Sequence, residues 1–252
     1  MWEHNLNAVL LDLGSLEIRY YGLVYVLGFL FAMFWLLYYK DKIGFSKEEV
    51  YDFTFYLILG GVIGARLFHV LFWEPSFYFT NLIEILKFWK GGMAFHGGIV
   101  GGMFAAWLYW KKKKFNFWKV ADLLAIPMAI VFALGRVANF INAELVGTVT
   151  NVSWCVDFGD GCRHPVQIYS ALKRFLVAGL LFLVAKKKHK DGFLFVLMVT
   201  LFGIGRFFID FVREDVLYWG LSMGQWTSAL MFLVGVFVLV KWFRKDFRNL
   251  FK

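Results

Sequence analysis

The sequence predicts an all-α, polytopic membrane protein: seven transmembrane helices with a small external head and an interfacial amino-terminal arm. Three observations lead there. Hydrophobic residues make up 60% of the 252 positions and charged residues only 18%, a balance foreign to an ordinary soluble domain. The apolar residues come in blocks long enough to cross a bilayer rather than in amphipathic alternation. Short Lys/Arg clusters separate the blocks and recur after every second one.

The blocks run near 21–39, 51–72, 93–110, 118–136, 168–185, 192–211 and 226–243. Lys40, Lys42 and Lys47 follow the first, and Lys111, Lys112, Lys113, Lys114 and Lys119 follow the third. Lys186, Lys187, Lys188 and Lys190 follow the fifth, and Lys241, Arg244, Lys245, Arg248 and Lys252 close the chain. All fall on one side, so the carboxyl terminus is expected inside, and the amino terminus, with Glu3, Asp12 and Glu17 against Arg19, outside. The net charge of +9 is then a topology signal for an anionic inner leaflet, and no nucleic-acid partner is expected. The first residues lack a basic n-region, so no cleavable signal peptide is expected. No linker or repeat divides the chain, so residues 1–252 are read as a single domain. The lack of a repeat also weakens an inverted-repeat transporter.

The connections carry the irregular sequence. Segment 74–90 mixes Leu82, Ile83, Ile85, Leu86, Phe88 and Trp89 with Glu84 and Lys87, which suits a helix lying in the interface. Segment 143–165 is polar and turn-rich and forms the external head. Both cysteines, Cys155 and Cys162, fall in it, where a disulfide would suit an oxidising compartment.

Function is read from the polar residues inside the apolar blocks. In segment 134–145, Arg136, Asn139 and Asn142 recur every three residues and share one face if the helix continues. An arginine at the centre of a bilayer helix costs about 2.5–3.5 kcal/mol on insertion scales, a cost rarely carried for packing alone. Arg66, His69, His96, Asp122, Arg206 and Asp210 also lie in spans, with Arg213 and Glu214 at an edge. Arg206, Asp210 and Arg213 are spaced for one helical face, where Asp210 can pair with either arginine. Gly97, Gly98, Gly101 and Gly102 after His96, and Gly60, Gly61 and Gly64 before Arg66, form bare stripes that admit a close neighbour. Asp122, near the inner end of its span, is expected to cap or to mark topology. The five histidines show no metal-ligand spacing, and no nucleophile elbow, P-loop or dinucleotide fingerprint occurs. What remains suits an anionic lipid head group, because phosphate takes bidentate arginine contacts.

The motif Gly135-Arg136-Val137-Ala138-Asn139-Phe140-Ile141-Asn142-Ala143-Glu144-Leu145-Val146-Gly147 closely resembles the signature of the bacterial prolipoprotein diacylglyceryl transferase family. Tyr20-Tyr21-Gly22-Leu23, Gly64-Ala65-Arg66, Phe95-His96-Gly97-Gly98, Arg163-His164-Pro165-Val166-Gln167-Ile168-Tyr169 and Ser222-Met223-Gly224-Gln225 resemble further family segments, so the likeness covers nearly the whole chain. The resemblance implies a transferase of the bacterial inner membrane that needs neither metal nor other cofactor. Its partners would be phosphatidylglycerol and preprolipoprotein signal peptides with a lipobox cysteine. The diacylglyceryl group moves to that thiol, a thioether forms and glycerol phosphate leaves.

By the same resemblance Arg136 and Arg206 clamp the phosphate, His96 is base or positioning group, and Glu144 and Tyr21 complete the catalytic set. Substrate binding falls to Arg66, Asn139, Asn142, Gly97, Gly98, Asp210, Arg213, His164 and Gln225. The physics agrees with that emphasis: a cysteine pKa near 8.5 makes thiolate formation at pH 7 cost only about 2 kcal/mol. Expelling phosphate from an alkyl carbon is harder, and pre-aimed arginines stabilise the charge it gains. This chain departs from the family pattern at Asp210 (one methylene shorter than glutamate), Phe202 (no tyrosine hydroxyl) and Ser170 (often acidic). A phospholipid or anion transporter, or a catalytically degenerate lipoprotein-binding relative, are the alternatives.

Overall fold

The computed structural model describes residues 2–14, 17–88 and 91–251, with the side chain of Phe251 left aside. Among the described residues seven long helices carry the chain: α1 Tyr20–Tyr38, α2 Lys47–Phe68, α3 Phe95–Lys113, α4 Phe117–Ile141, α5 Val166–Val184, α6 Phe193–Ile209 and α7 Met223–Trp242. Among the described residues six stretches, containing every long helix but α3, are long and apolar enough to cross a membrane. They turn large apolar side chains outward, among them Phe34, Leu176 and Leu230, as helices solvated by lipid do. The protein is therefore a multi-pass membrane protein. Lys252, counted in the basic clusters above, lies outside the described residues.

The chain groups into two compact units, one of Met1–Ala32 with Trp118–Lys252 and one of Met33–Phe117. In the second unit α2 starts at a capping box, Ser46 and Glu49 each accepting from the other's backbone N–H. It then packs along α3 through the two glycine stripes. A Cβ on Gly64 would run into the carbonyl oxygen of Gly97 and the backbone of Gly101, and one on Gly101 into the backbone of Gly60 and Gly64. Gly60, Gly64, Gly97 and Gly101 thus form one backbone-to-backbone seam, while Gly102 meets nothing.

Segment 74–90 departs from the single interfacial helix expected of it. It forms a short helix, Pro75–Thr80, and a 3-10 turn, Leu82–Leu86; Trp89 and Lys90 lie outside the described residues. The carbonyls of Glu84, Ile85, Lys87, Gly91 and Gly92 all turn to the Arg66 guanidinium instead, at 2.5–3.3 Å. A regular α-helix would have kept its carbonyls for itself, so the buried arginine dictates the irregular path.

In the first unit α6 packs along α7, and α5 against α6. The chain between α4 and α5 forms the head. Strands β4 (Val156–Asp157) and β5 (Cys162–Arg163) pair antiparallel, and β1 (Trp2–Glu3) adds in parallel beside β4. His4 reaches from that strand to the Phe140 carbonyl, 2.8 Å. The amino-terminal arm is therefore tied to the head before its hairpin, β2 (Val9–Asp12) with β3 (Glu17–Arg19), leads into α1. Cys155 and Cys162 form a disulfide across the β4–β5 turn. Asp122 accepts from the N–H groups of Gly192 and Phe195, 2.8 and 2.9 Å, and so caps α6 rather than its own helix.

Arg163 anchors the head, bound to Asp160 at 2.7 Å, to Glu214 at 2.6 Å and to the Gly147 carbonyl at 3.0 Å. Its hydrogen bond holds the Asp160 carboxyl below the usual carboxylate range. A depressed native pKa adds stability that is present above the unfolded-state value and is lost as pH falls through the native one. Acidification below the ordinary carboxylate range should therefore loosen the head, seen as faster amide exchange over residues 147–163. Asp160→Asn should already exchange faster at neutral pH and lose part of the acid dependence.

Candidate active site

Helix α4 contains Pro127 yet runs unbroken to Ile141, so Arg136 and Asn139 lie on it one turn apart. Asn142 lies just beyond, in the turn, its N–H still bonded to the Ala138 carbonyl at 3.0 Å. Ala143 and Leu145, either side of Glu144, both have left-handed backbones, φ 54 and 56. Neither residue is glycine, so each conformation costs about 1–3 kcal/mol. That turn swings Glu144 back over the helix end, where its carboxylate accepts from Asn139 at 2.9 Å and Asn142 at 3.1 Å. Asn139 is buried, and its Oδ1 accepts a long bond, 3.4 Å, from Arg136. Gln167, from α5, fixes the same turn by donating to the Glu144 carbonyl, 2.6 Å.

Arg136 opens onto a pocket whose other walls are Gln167, Ser170 and Arg174 of α5, Arg206 and Ile209 of α6, and Leu145, Val166, Asp210 and Arg213. Four guanidiniums and one carboxylate line it. The pocket holds about 10 Å³, room for roughly one water, so a phosphate group requires it to widen. Arg206 pairs with Asp210, 3.1 Å, and the pair rests on α7 at Gly224, where a Cβ would meet the Asp210 carboxylate and the Arg206 guanidinium. Asp210 opens a 3-10 turn, Asp210–Val212, and Arg213 beyond it is extended. The shared helical face expected for Arg206, Asp210 and Arg213 therefore breaks, and Arg213 lies 3.7 Å from Asp215 instead of pairing with Asp210.

The prolipoprotein diacylglyceryl transferase family model matches residues 8–241. The chain belongs to the prolipoprotein diacylglyceryl transferase family. Among its relatives, a phosphatidylglycerol–prolipoprotein diacylglyceryl transferase of Ehrlichia ruminantium (strain Gardel) is 38% identical, covering 93% of this chain and 96% of the relative. The protein of the same name from Rickettsia rickettsii (strain Sheila Smith) is 39% identical over the same shares, and that of Bordetella parapertussis is 37% identical over 91% and 93%.

The remaining residues picked out from the transferase motifs fall into separate settings. Tyr21, in the first turn of α1, accepts a hydrogen bond from Tyr25 at 3.2 Å. His164 contacts the Tyr169 hydroxyl at 3.2 Å, and Trp154 donates to that same oxygen at 2.7 Å. Gln225 is buried and completes a capping box with Ser222 at the start of α7. In the other unit, His96 lies in the first turn of α3, exposed, its ring near Phe68 and Phe95 and making no hydrogen bond among the described residues. Gly97 belongs to the glycine seam beside it, and Gly98 packs more loosely. Arg66 spends all five N–H groups on backbone carbonyls, which leaves none for a phosphate.

Motif reasoning missed Arg174 and Lys173 on α5. Arg174 is buried in the pocket wall, and Lys173 bonds the Phe202 carbonyl at 3.4 Å with its stem against Gly205. Both cations stand 5.5 Å from the centre of the Phe202 ring. Two consecutive cations inside block 168–185 were the available signal: the insertion cost that singles out Arg136 applies equally to them.

Proposed function

We propose that this protein transfers the diacylglyceryl group of phosphatidylglycerol to the lipobox cysteine thiol of prolipoproteins. The carrying observation is the arginine-lined pocket on the family's signature helix. The thiolate sulfur attacks the glyceryl carbon bearing the phosphate, a carbon–sulfur bond forms, and the carbon–oxygen bond breaks with its electron pair leaving on glycerol phosphate. Arg136 and Arg206 bind the phosphate and stabilise the charge it gains. Asp210 and Gly224 fix Arg206, and Arg213 adds to the field. Glu144, through Asn139 and Asn142, fixes the end of α4 beneath Arg136.

His96 is the base or positioning group, next to Gly97 of the glycine seam and the more loosely packed Gly98. Tyr21, His164 and Gln225 complete the surroundings of the substrates, and Arg66 acts by shaping segment 84–92. The whole chain works as one domain in the bacterial inner membrane, with α3 as a seventh span. The amino terminus and the disulfide-bonded head lie outside, the carboxyl terminus lies in the cytoplasm, and the basic clusters serve the inner leaflet and not a nucleic acid. Purified protein in detergent, given phosphatidylglycerol and a lipobox peptide, should raise the peptide mass by one diacylglyceryl group. The shift should vanish when the peptide cysteine is replaced by serine. An unmodified peptide alongside phospholipid flux in liposomes would favour the transporter instead.

A further inference from the structure

Arg174 forms no direct ion pair among the described residues. It sits in the middle of α5, 9% exposed. Its Nη1 donates to the Ser170 carbonyl at 3.1 Å, an oxygen one helical turn back, and its Nε is buried with no hydrogen-bond partner. No carboxylate pairs with it among the described residues, and the remaining contact is the face of Phe202. A buried cation left in this state is destabilising unless a further group completes it.

The pocket supplies the context. Of its four arginines, Arg206 has Asp210 and Arg213 has Asp215. Among the described residues Arg136 and Arg174 have no ion-pair partner, and the one carboxylate in the lining, Asp210, is already paired with Arg206. Two uncompensated positive charges therefore face one small cavity lined by both residues. A phosphate diester, with one negative charge, neutralises only one of them. A phosphate monoester dianion neutralises both. On the transferase reading, which this step rests on, the second negative charge develops as the glyceryl carbon–oxygen bond breaks.

We infer that Arg174 is a further phosphate-binding residue of the pocket, and that it serves the monoester dianion of the departing glycerol phosphate more than the phosphodiester of the bound lipid. An interaction that strengthens as the bond breaks lowers kcat and leaves KM nearly unchanged when it is removed.

The test uses the full chain in detergent with phosphatidylglycerol and a lipobox peptide, comparing wild type, Arg174→Gln and Arg174→Lys. Arg174→Gln should lower kcat about 10²-fold with KM for the lipid changed less than about threefold. It should weaken inhibition by added glycerol phosphate about tenfold or more, and its melting temperature should hold or rise, because an uncompensated buried charge is gone. Arg174→Lys should recover part of each loss. In wild type, glycerol phosphate should inhibit about tenfold better than the diester glycerophosphoglycerol, a comparison that stands even if Arg174→Gln does not fold.

Wild-type kcat and inhibition in Arg174→Gln would overturn the inference. So would lost activity with a lowered melting temperature and unchanged glycerol phosphate inhibition, which would make Arg174 a packing group over Phe202. A raised KM at constant kcat, or equal inhibition by monoester and diester, would assign it to the lipid ground state and overturn the dianion. An inactive wild type would instead contradict the transferase reading itself.

Discussion

Arg136→Ala is expected to lower diacylglyceryl transfer by about 10²–10³-fold, the usual effect of removing one preorganised donor from a developing oxyanion, while the protein still folds. Both halves follow from the same geometry. Arg136 lines the pocket, and its one side-chain hydrogen bond among the described residues is the long one to Asn139, 3.4 Å, so the native state gains little from it. Its removal relieves the cost of holding a half-buried guanidinium without a direct carboxylate partner, and the melting temperature in detergent should not fall. Arg136→Lys should restore only a small part of the rate, because an ammonium is a point charge without the planar fork that grips two phosphate oxygens. Peptide mass, followed in parallel with thermal unfolding, checks both. Full activity in Arg136→Ala would remove the phosphate clamp from the mechanism.

Gly101→Leu should abolish activity by the opposite route, through the fold. A side chain at Gly101 points into the backbone of Gly60 and Gly64. Backbone cannot step aside as a flexible side chain does, so α2 and α3 must separate. Overpacking of a tight core costs about 1–3 kcal/mol and occasionally more, and here the rest of the glycine seam is lost with it. The expected result is aggregation or a strongly lowered melting temperature. Gly102→Leu, one residue further along α3 where nothing lies within reach, should fold as wild type. Equal stability of the two variants would contradict the seam.

The helical blocks were legible because their signal is local: apolar length and flanking charge are written in consecutive residues. The glycine stripes were legible as stripes, and the structure shows that Gly60 and Gly64 face Gly97 and Gly101, a pairing no single stripe can specify. Arg136, Asn139 and Asn142 were legible by spacing. Their coupling through Glu144 was not, because it depends on left-handed backbones at Ala143 and Leu145, residue types that give no warning of that conformation. Arg66 shows a different limit. As a buried arginine it reads as a phosphate ligand, yet its acceptors are backbone carbonyls of segment 84–92, and carbonyls carry no residue-specific mark. The Arg206–Asp210 pair was visible at four-residue spacing, whereas the exchange of Arg213 to Asp215 followed from the helix ending at Ile209.

The central claim is that the arginine pocket receives a phosphate leaving group, and it is tested most directly by quantifying both products of one reaction. Phosphatidylglycerol labelled in its terminal glycerol and its phosphate, incubated with the purified protein and a lipobox peptide, should yield one glycerol phosphate for each diacylglyceryl peptide formed. Both products should fall together in Arg136→Ala. Release of free glycerol with phosphate retained on the peptide would mean that the other ester bond breaks, and would contradict the account.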